Sequence, residues 1–164
     1  MATNFKPIIS GNQSGYPEVR YFTVDASATF VVGELVYWDT ATQTLKGCGA
    51  DPSLIAGIAL ASAAFGLGTQ WPGNIYDNAG VLTAIPVALL TPTTKVFMSS
   101  SSTPALSNVG VAYGVASNSG VWRVDTSDTG NTRLVVVDIF NTPQQEGFLV
   151  QFTAANLQFD AIAS

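Results

Sequence analysis

Carboxylates are the side chains of this sequence best suited to acid–base chemistry, but their positions do not favour it. Glycoside hydrolysis needs two acids that face each other across a cleft. Here the candidate acids fall at predicted turns, where carboxylates commonly accept hydrogen bonds from nearby backbone amides: Asp25, Glu34, Asp39, Asp51 and Asp77. No pair stands out. We therefore expect no catalytic residues and no enzyme activity.

The composition also removes most metal and nucleophile chemistry. The chain has no histidine and one cysteine, Cys48, which excludes His-dependent triads, His-ligated metals and zinc clusters. Residues 125–132 are rich in oxygen atoms, but Ser127, Thr129 and Val136 occupy positions 3, 5 and 12 of an EF-hand frame. We interpret this segment as a polar hairpin loop and expect no metal and no cofactor. Cys48 is either a partly exposed thiol or a small apolar filler.

Charge is scarce and unevenly distributed. Charged residues make up 10% of the chain and the net charge is -5, whereas an average domain carries about 25% charged residues. Between Pro52 and Trp122, Asp77 and Lys95 alone carry charge. Binding to nucleic acid needs clustered Lys and Arg, and the six basic residues here are scattered. We expect no nucleic-acid partner, and we expect part of the surface to be buried in an assembly.

One stretch, residues 54–65, is apolar enough to suggest a membrane segment. Its 12 residues are fewer than the roughly 20 that a helix needs to span a bilayer. We therefore predict a buried strand with a following turn, and no membrane partner. The first residues lack the apolar core of a signal peptide, so we expect synthesis in a cytoplasm without export.

Short strands separated by turns account for the rest of the pattern. Apolar spacing typical of a helix is absent, and turn signals recur every 8–12 residues or so, as in sandwiches and barrels. The predicted strands are residues 20–25, 29–32, 35–39, 44–47, 55–61, 82–90, 95–99, 110–116, 121–125, 133–140 and 147–153. The sequence thus predicts an all-β fold: a single compact antiparallel β-barrel or sandwich with an extended N-terminal arm and a C-terminal tail.

Three strands carry further information. Trp122 and Val124 alternate with Arg123 and Asp125, which indicates a half-exposed strand. Residues 134–140 are apolar on both faces, so this strand is either central or covered by a neighbouring subunit. Pro86 cannot donate a ladder hydrogen bond, which predicts an edge strand or a break within residues 82–90.

The chain divides into an arm (1–18), a barrel domain (19–142) and a C-terminal strand with a tail (143–164). An extended apolar arm can add to a sheet edge of a neighbouring protein, or it can pack on its own domain. The tail can likewise fold back on the barrel or dock on a partner. The predicted contact residues are Phe5, Lys6, Pro7, Ile8 and Ile9 in the arm, and Phe148, Val150, Phe152, Leu157 and Phe159 in the C-terminal part.

Five stretches of sequence carry a resemblance to a known family. Residues 30–39 (FVVGELVYWD), 45–49 (LKGCG), 55–59 (IAGIA), 110–115 (GVAYGV) and 120–127 (GVWRVDTS) resemble the small β-barrel decoration, or cement, proteins of tailed-phage heads. The resemblance implies a structural virion protein on the outer capsid surface. It also implies binding to the major capsid protein and to copies of itself, commonly as trimers, after synthesis in the host cytoplasm.

A carbohydrate- or receptor-binding β module of a phage tail or fibre is the alternative function. It would use exposed aromatic rings as stacking surfaces, and the same rings can instead pack in a core or an interface. The candidates are Tyr37, Trp38, Trp71, Tyr76 and Trp122.

Overall fold

The computed structural model describes residues 7–11, 17–66, 84–142 and 145–159. They form strands β1 (Ile8–Gly11), β2 (Val19–Thr23), β3 (Leu35–Asp39), β4 (Thr44–Gly47), β5 (Gly57–Ala59), β6 (Ala84–Leu89), β7 (Lys95–Ser100), β8 (Ala112–Asn118), β9 (Val121–Asp125), β10 (Leu134–Thr142) and β11 (Gln145–Phe152), with a short helix α1 (Ala63–Gly66) and 3-10 turns at Leu106–Asn108 and Ala154–Asn156.

Two sheets contain these strands. The larger has the order β1-β7-β11-β10-β8-β9, and β9 also pairs with β7 in parallel at two positions, so this sheet is strongly curled. The smaller has the order β2-β6-β5-β3-β4, and just after β2 Val24 forms a parallel bridge to Leu45 of β4. The all-β prediction is confirmed. Of its two architectures, the fold is sandwich-like and is not a closed barrel.

Adjacent residues of β3 point to opposite faces of the smaller sheet, and both faces are buried. Leu35 belongs to a core shared by the two sheets, together with Trp122 and Phe148 from the larger one. Val36 belongs to a second core on the other face of the smaller sheet, with Ile85 of β6. We call these the shared core and the small-sheet core. A sheet buried on both faces needs apolar residues at successive positions, which accounts for the long uncharged runs in the sequence.

Several predicted strands match the structure residue for residue: 35–39, 44–47 and 121–125. Residues 29–32 do not form a strand. Phe30 is buried in the small-sheet core and Gly33 adopts a positive φ of 88°, so the chain turns before it can pair. Residues 57–59 are the predicted buried strand, and α1 follows them.

Pro86 lies inside the smaller sheet, between β2 and β5, so the predicted edge or break is wrong. The ring nitrogen faces β5, because the carbonyl of Pro86 accepts the N–H of Leu60 (3.0 Å) and the two groups of one residue point to the same side of a strand. Leu60 is the residue after β5 ends. The side of Pro86 that lacks an N–H therefore faces Leu60, where the regular pairing of β5 with β6 has already ended.

β10 lies between β11 and β8, which confirms its predicted central position. Trp122 and Val124 are buried and Arg123 is half-buried, as the alternation predicted. Residues 126–133 are not a hairpin loop, because β8 separates β9 from β10. The segment instead packs on β8, where the carbonyl of Asp128 accepts the N–H of Gly114 (2.8 Å). A Cβ on Gly114 would overlap the Asp128 side chain, so a larger residue there would force Asp128 to shift.

The division of the chain at residues 142 and 143 does not coincide with a structural boundary. β10 and β11 pair with each other from Leu134↔Phe152 to Thr142↔Gln145, and β11 lies between β7 and β10. At the other end, β1 pairs with β7 of its own chain. The C-terminal strand and part of the arm therefore belong to the larger sheet.

After β11 the chain crosses to the smaller sheet and is held there by hydrogen bonds. Leu157 forms a parallel bridge to Ile55, and the N–H of Gln158 donates to the carbonyl of Ile55 (3.0 Å). The side-chain amide of Gln158 donates to the carbonyl of Trp38 (2.7 Å) and accepts the Trp38 N–H (2.6 Å). Since β5 begins only at Gly57, this amide pairs the part of β3 that β5 does not reach.

A second link joins the same regions. The Arg133 guanidinium, at the start of β10, donates to the carbonyl of Pro52 (2.5 Å) and forms an ion pair with Asp51 (3.1 Å). Its side chain is 14% exposed. The Asn156 amide donates to the carbonyl of Ser53 (3.0 Å). The loop before β5 is thus fixed to the larger sheet and to the C-terminal segment.

We predict that Gln158→Ala lowers the free energy of unfolding by about 1–3 kcal/mol, because both backbone groups of Trp38 lose their partner. Urea unfolding measures the difference, with Gln145→Ala as the control because Gln145 is exposed at the end of the β10–β11 hairpin. Equal stability of Gln158→Ala and the wild type would show that the amide is not a structural link.

Candidate interaction surface

The structure places the arm residues on their own domain. Pro7 is buried, and Ile9 packs against the shared core. Ile8 is 51% exposed. Phe5 and Lys6 lie outside the described residues. Pro7 and Ile9 thus pack on their own domain, which was the second alternative for the arm. Ile8 has the most exposed side chain of the three.

The C-terminal contact residues are mostly in the core. Phe148, Val150 and Phe152 are fully buried, and Leu157 is nearly so. Phe159 stacks on Phe22 of β2 (ring centroids 5.5 Å apart). The predicted partner contact at Phe148, Val150 and Phe152 is wrong, since β11 is an inner strand whose alternating apolar residues face the shared core. A local apolar pattern cannot tell a strand inside its own sheet from one that waits for a partner.

Exposed apolar side chains gather instead at the start of β2. Val19 and Tyr21 are 45% and 58% exposed, and they point to the same face because they are two residues apart. The strand register aligns Tyr21 with Pro86, and the Leu60–Pro86 hydrogen bond places Leu60 beside Pro86. Leu60 is itself 45% exposed. We call Val19, Tyr21 and Leu60 the apolar row.

At the same place, no described residue pairs with the outer backbone edge of β2. The carbonyl of Glu18 accepts the N–H of Leu89, so the even-numbered residues of β2 direct their backbone groups to β6. Val19 and Tyr21 direct theirs away from the sheet. At its end the strand is covered, because the N–H of Asp25 donates to the carbonyl of Leu45 on β4 (3.0 Å).

Charges beside the row are paired within the chain. Glu18 accepts a hydrogen bond from Arg20 (2.6 Å), and the two side chains are 54% and 42% exposed. Both lie on the face of β2 opposite Val19 and Tyr21. The edge therefore carries one acid and one base, two residues apart.

Two of the acids considered in the sequence, Asp25 and Asp39, accept hydrogen bonds within turns, whereas Asp77 lies outside the described residues. Lys46 lies between Asp39 (2.7 Å) and Asp25 (3.5 Å). Hydrogen bonds from the hydroxyl and backbone N–H of Ser27 hold the pKa of Asp25 down at about 2, and the hydrogen bond from Lys46 lowers the pKa of Asp39. The same bond raises the pKa of Lys46. This cluster connects the end of β2 to the β3–β4 hairpin.

Two shallow clefts adjoin the loop that contains Cys48. One, of about 360 Å³, is lined by Tyr37 and by loop residues that include Asp51 and Ser53. The other, of about 280 Å³, includes Lys46 and Glu34. Cys48 packs against the shared core, and burial raises the pKa of its thiol to about 12, with a smaller effect from Glu34. These contacts favour the interpretation of Cys48 as an apolar filler.

Among the described residues, no three His, Cys, Asp or Glu side chains come together in a way that would hold a metal ion. In the same ranges no helix has the length and apolar character needed to cross a bilayer.

The β2 edge was missed by sequence reasoning because Tyr21 and Phe22 are both apolar. The alternation of Glu18 and Arg20 with Val19 and Tyr21 was the available signal.

We predict that stability falls as the pH drops from about 4 to 2. Asp25 has a lower pKa in the folded chain than its ordinary 3.8. Its contribution is therefore complete above the ordinary value and is lost as the pH approaches the folded one. Ser27→Ala removes the main cause of the shift and should flatten the profile in urea unfolding at pH 2–5, whereas Ser53→Ala, at an exposed site, should not. Identical profiles for all three proteins would contradict this role.

Comparison with known proteins gives no indication of function, so the inference of function depends on the surface. No family model matches the chain, and no curated protein and no solved structure matches it either.

Proposed function

We propose that this protein is a structural decoration protein that binds the major capsid protein lattice on the outer surface of a tailed-phage head. The apolar row carries the proposal: Val19 and Tyr21 on one side of Pro86 and Leu60 on the other expose large apolar side chains on the same sheet face. Exposed apolar groups that adjoin one another mark interaction sites more often than isolated ones do. The resemblance of residues 30–39 and 120–127 to phage cement proteins supplies the kind of partner.

The physical basis of stabilisation is mass action. A protein that binds the expanded lattice and not the dissociated subunits lowers the free energy of the lattice by its binding free energy. Simultaneous contact with several subunits strengthens the hold without high affinity at each contact. The net charge of -5 suits the outside of the shell, because packaged DNA would repel an acidic protein on the inside.

The carbohydrate-binding alternative has one observation in its favour. Tyr37 borders the 360 Å³ cleft near the Asp51 carboxylate, and a ring beside a polar group is a common sugar-binding arrangement. Trp122 is buried in the shared core, and Trp38 packs against Phe22 (5.4 Å). Trp71 and Tyr76 lie outside the described residues. A glycan array tests this function, and binding that Tyr37→Ala abolishes would support it.

We predict that expanded heads carrying this protein rupture at a higher temperature than heads without it, because the bound protein stabilises the assembled lattice. Thermal release of packaged DNA, followed with an intercalating dye, measures the difference. Heads reconstituted with the purified chain should recover the higher temperature. Equal rupture temperatures with and without the protein, at full occupancy, would refute the cement role.

We predict that the double variant Tyr21→Ser, Leu60→Ser lowers occupancy on heads at least tenfold at limiting concentration, since burial of two large apolar side chains contributes about 3 kcal/mol or more. Leu106→Ser is the matched control, because Leu106 is 79% exposed on the 3-10 turn after β7. Co-sedimentation measures occupancy, and thermal unfolding checks that both variants fold. Equal losses for the two variants would show that the apolar row is not the contact.

A further inference from the structure

We propose that two copies of this chain pair through the β2 edge, antiparallel, about a twofold axis at Val19. The two smaller sheets then form one continuous ten-stranded sheet. The inference extends the proposed function: the pairing uses the backbone edge of β2, it leaves the face of each apolar row to the capsid lattice, and it can be tested on the free protein.

The backbone limits where a second strand can add. Val19 and Tyr21 direct their N–H and C=O groups outward, and no described residue accepts or donates to them there. From the third residue after Tyr21 the edge is occupied, since Val24 bridges to Leu45 and the N–H of Asp25 donates to the carbonyl of Leu45. The open edge therefore ends before Thr23.

Space and charge then decide between the possible registers of the two β2 strands. An axis at Tyr21 would set Val19 against Thr23 of the second copy, where β4 already lies. An axis at Arg20 would set Arg20 against Arg20 of the second copy, and like charges directly opposite are destabilising. An axis at Val19 sets Glu18 against Arg20 of the second copy, twice. That register places opposite charges across both sides of the axis.

The register with the axis at Val19 also lets backbone groups of the two strands form hydrogen bonds. Val19 and Val19 of the second copy exchange two hydrogen bonds as a directly opposed pair. The N–H of Tyr21 then reaches the carbonyl of Pro17 of the second copy, and the proline, which has no N–H, leaves no donor unpaired. The Tyr21 ring lies opposite that proline ring, on the face of the apolar row.

A twofold axis perpendicular to the sheet keeps the two apolar rows on the same face. The pair therefore presents two contact surfaces in one direction. Such an arrangement gives bivalent attachment to a repeating lattice, with a gain in avidity that needs no new contact.

Cysteine cross-linking in a Cys48→Ala background tests the register. Directly opposed residues have Cα atoms about 5.5 Å apart, within disulfide range. Val19→Cys should therefore cross-link under mild oxidation. Tyr21→Cys should not, because the two Tyr21 residues would lie about 14 Å apart along the strands. Preferential cross-linking of Tyr21→Cys, or none for either variant, would overturn the proposal.

Charge reversal tests the interface independently. Arg20→Glu should raise the dissociation constant of the dimer roughly tenfold in sedimentation equilibrium, because two attractive pairs become repulsive. The double reversal Glu18→Arg, Arg20→Glu should restore it, and Lys95→Glu, an exposed residue of β7, should leave it unchanged. A wild-type chain that stays monomeric, or a dimer indifferent to Arg20→Glu, would overturn the pairing. The head-rupture measurement would still decide the proposed function.

Discussion

The burial of both faces of the smaller sheet at β3 is the constraint from which most of this structure follows. Leu35 and Val36 are neighbours in β3, yet each is fully buried in a different core. At the start of β3 neither face of the sheet has room for charged residues. Apart from Asp39 at the end of β3, charged side chains of this sheet lie on its outer strands, with Arg20 on β2 and Lys46 on β4. Between Pro52 and Trp122 only Asp77 and Lys95 carry charge, and the inner strands β5 and β6 lie within this stretch.

Such a sheet must also satisfy its backbone without water. β5 is three residues long, so it leaves part of β3 without a strand partner. The Gln158 side chain replaces the missing strand at Trp38, because its amide supplies one donor and one acceptor to the Trp38 backbone. The two Trp38–Gln158 bonds span 120 residues, which explains why the C-terminal segment belongs to the fold and does not form a free tail.

Strand positions were predictable from the sequence, and their neighbours were not. Residues 35–39 and 121–125 are bounded by turn residues and rich in β-branched and aromatic side chains, so local preferences determine them. The placement of β11 inside the larger sheet, of Pro86 between two strands, and of β8 between β9 and β10 depends on contacts between distant parts of the chain. The same limit applies to the interaction surface. Phe148 and Tyr21 look alike as strand aromatics, and only the pairing shows that the first is buried and the second exposed.

The outer edge of β2 is informative because no described residue pairs with it at Val19 and Tyr21. Natural sheets blunt their edges with prolines, charges or overlying chain, because an open edge recruits other strands. In the smaller sheet β4 receives such cover, where Val24 and Asp25 lie along it. The start of β2 has Val19 and Tyr21 in its place, residues that favour strand pairing. The charges that flank Val19 are opposite in sign, and each lies one residue away from it. In an antiparallel pair of β2 strands about Val19, each charge would therefore lie opposite a charge of the other sign. These are the properties on which the proposed pairing of two copies depends.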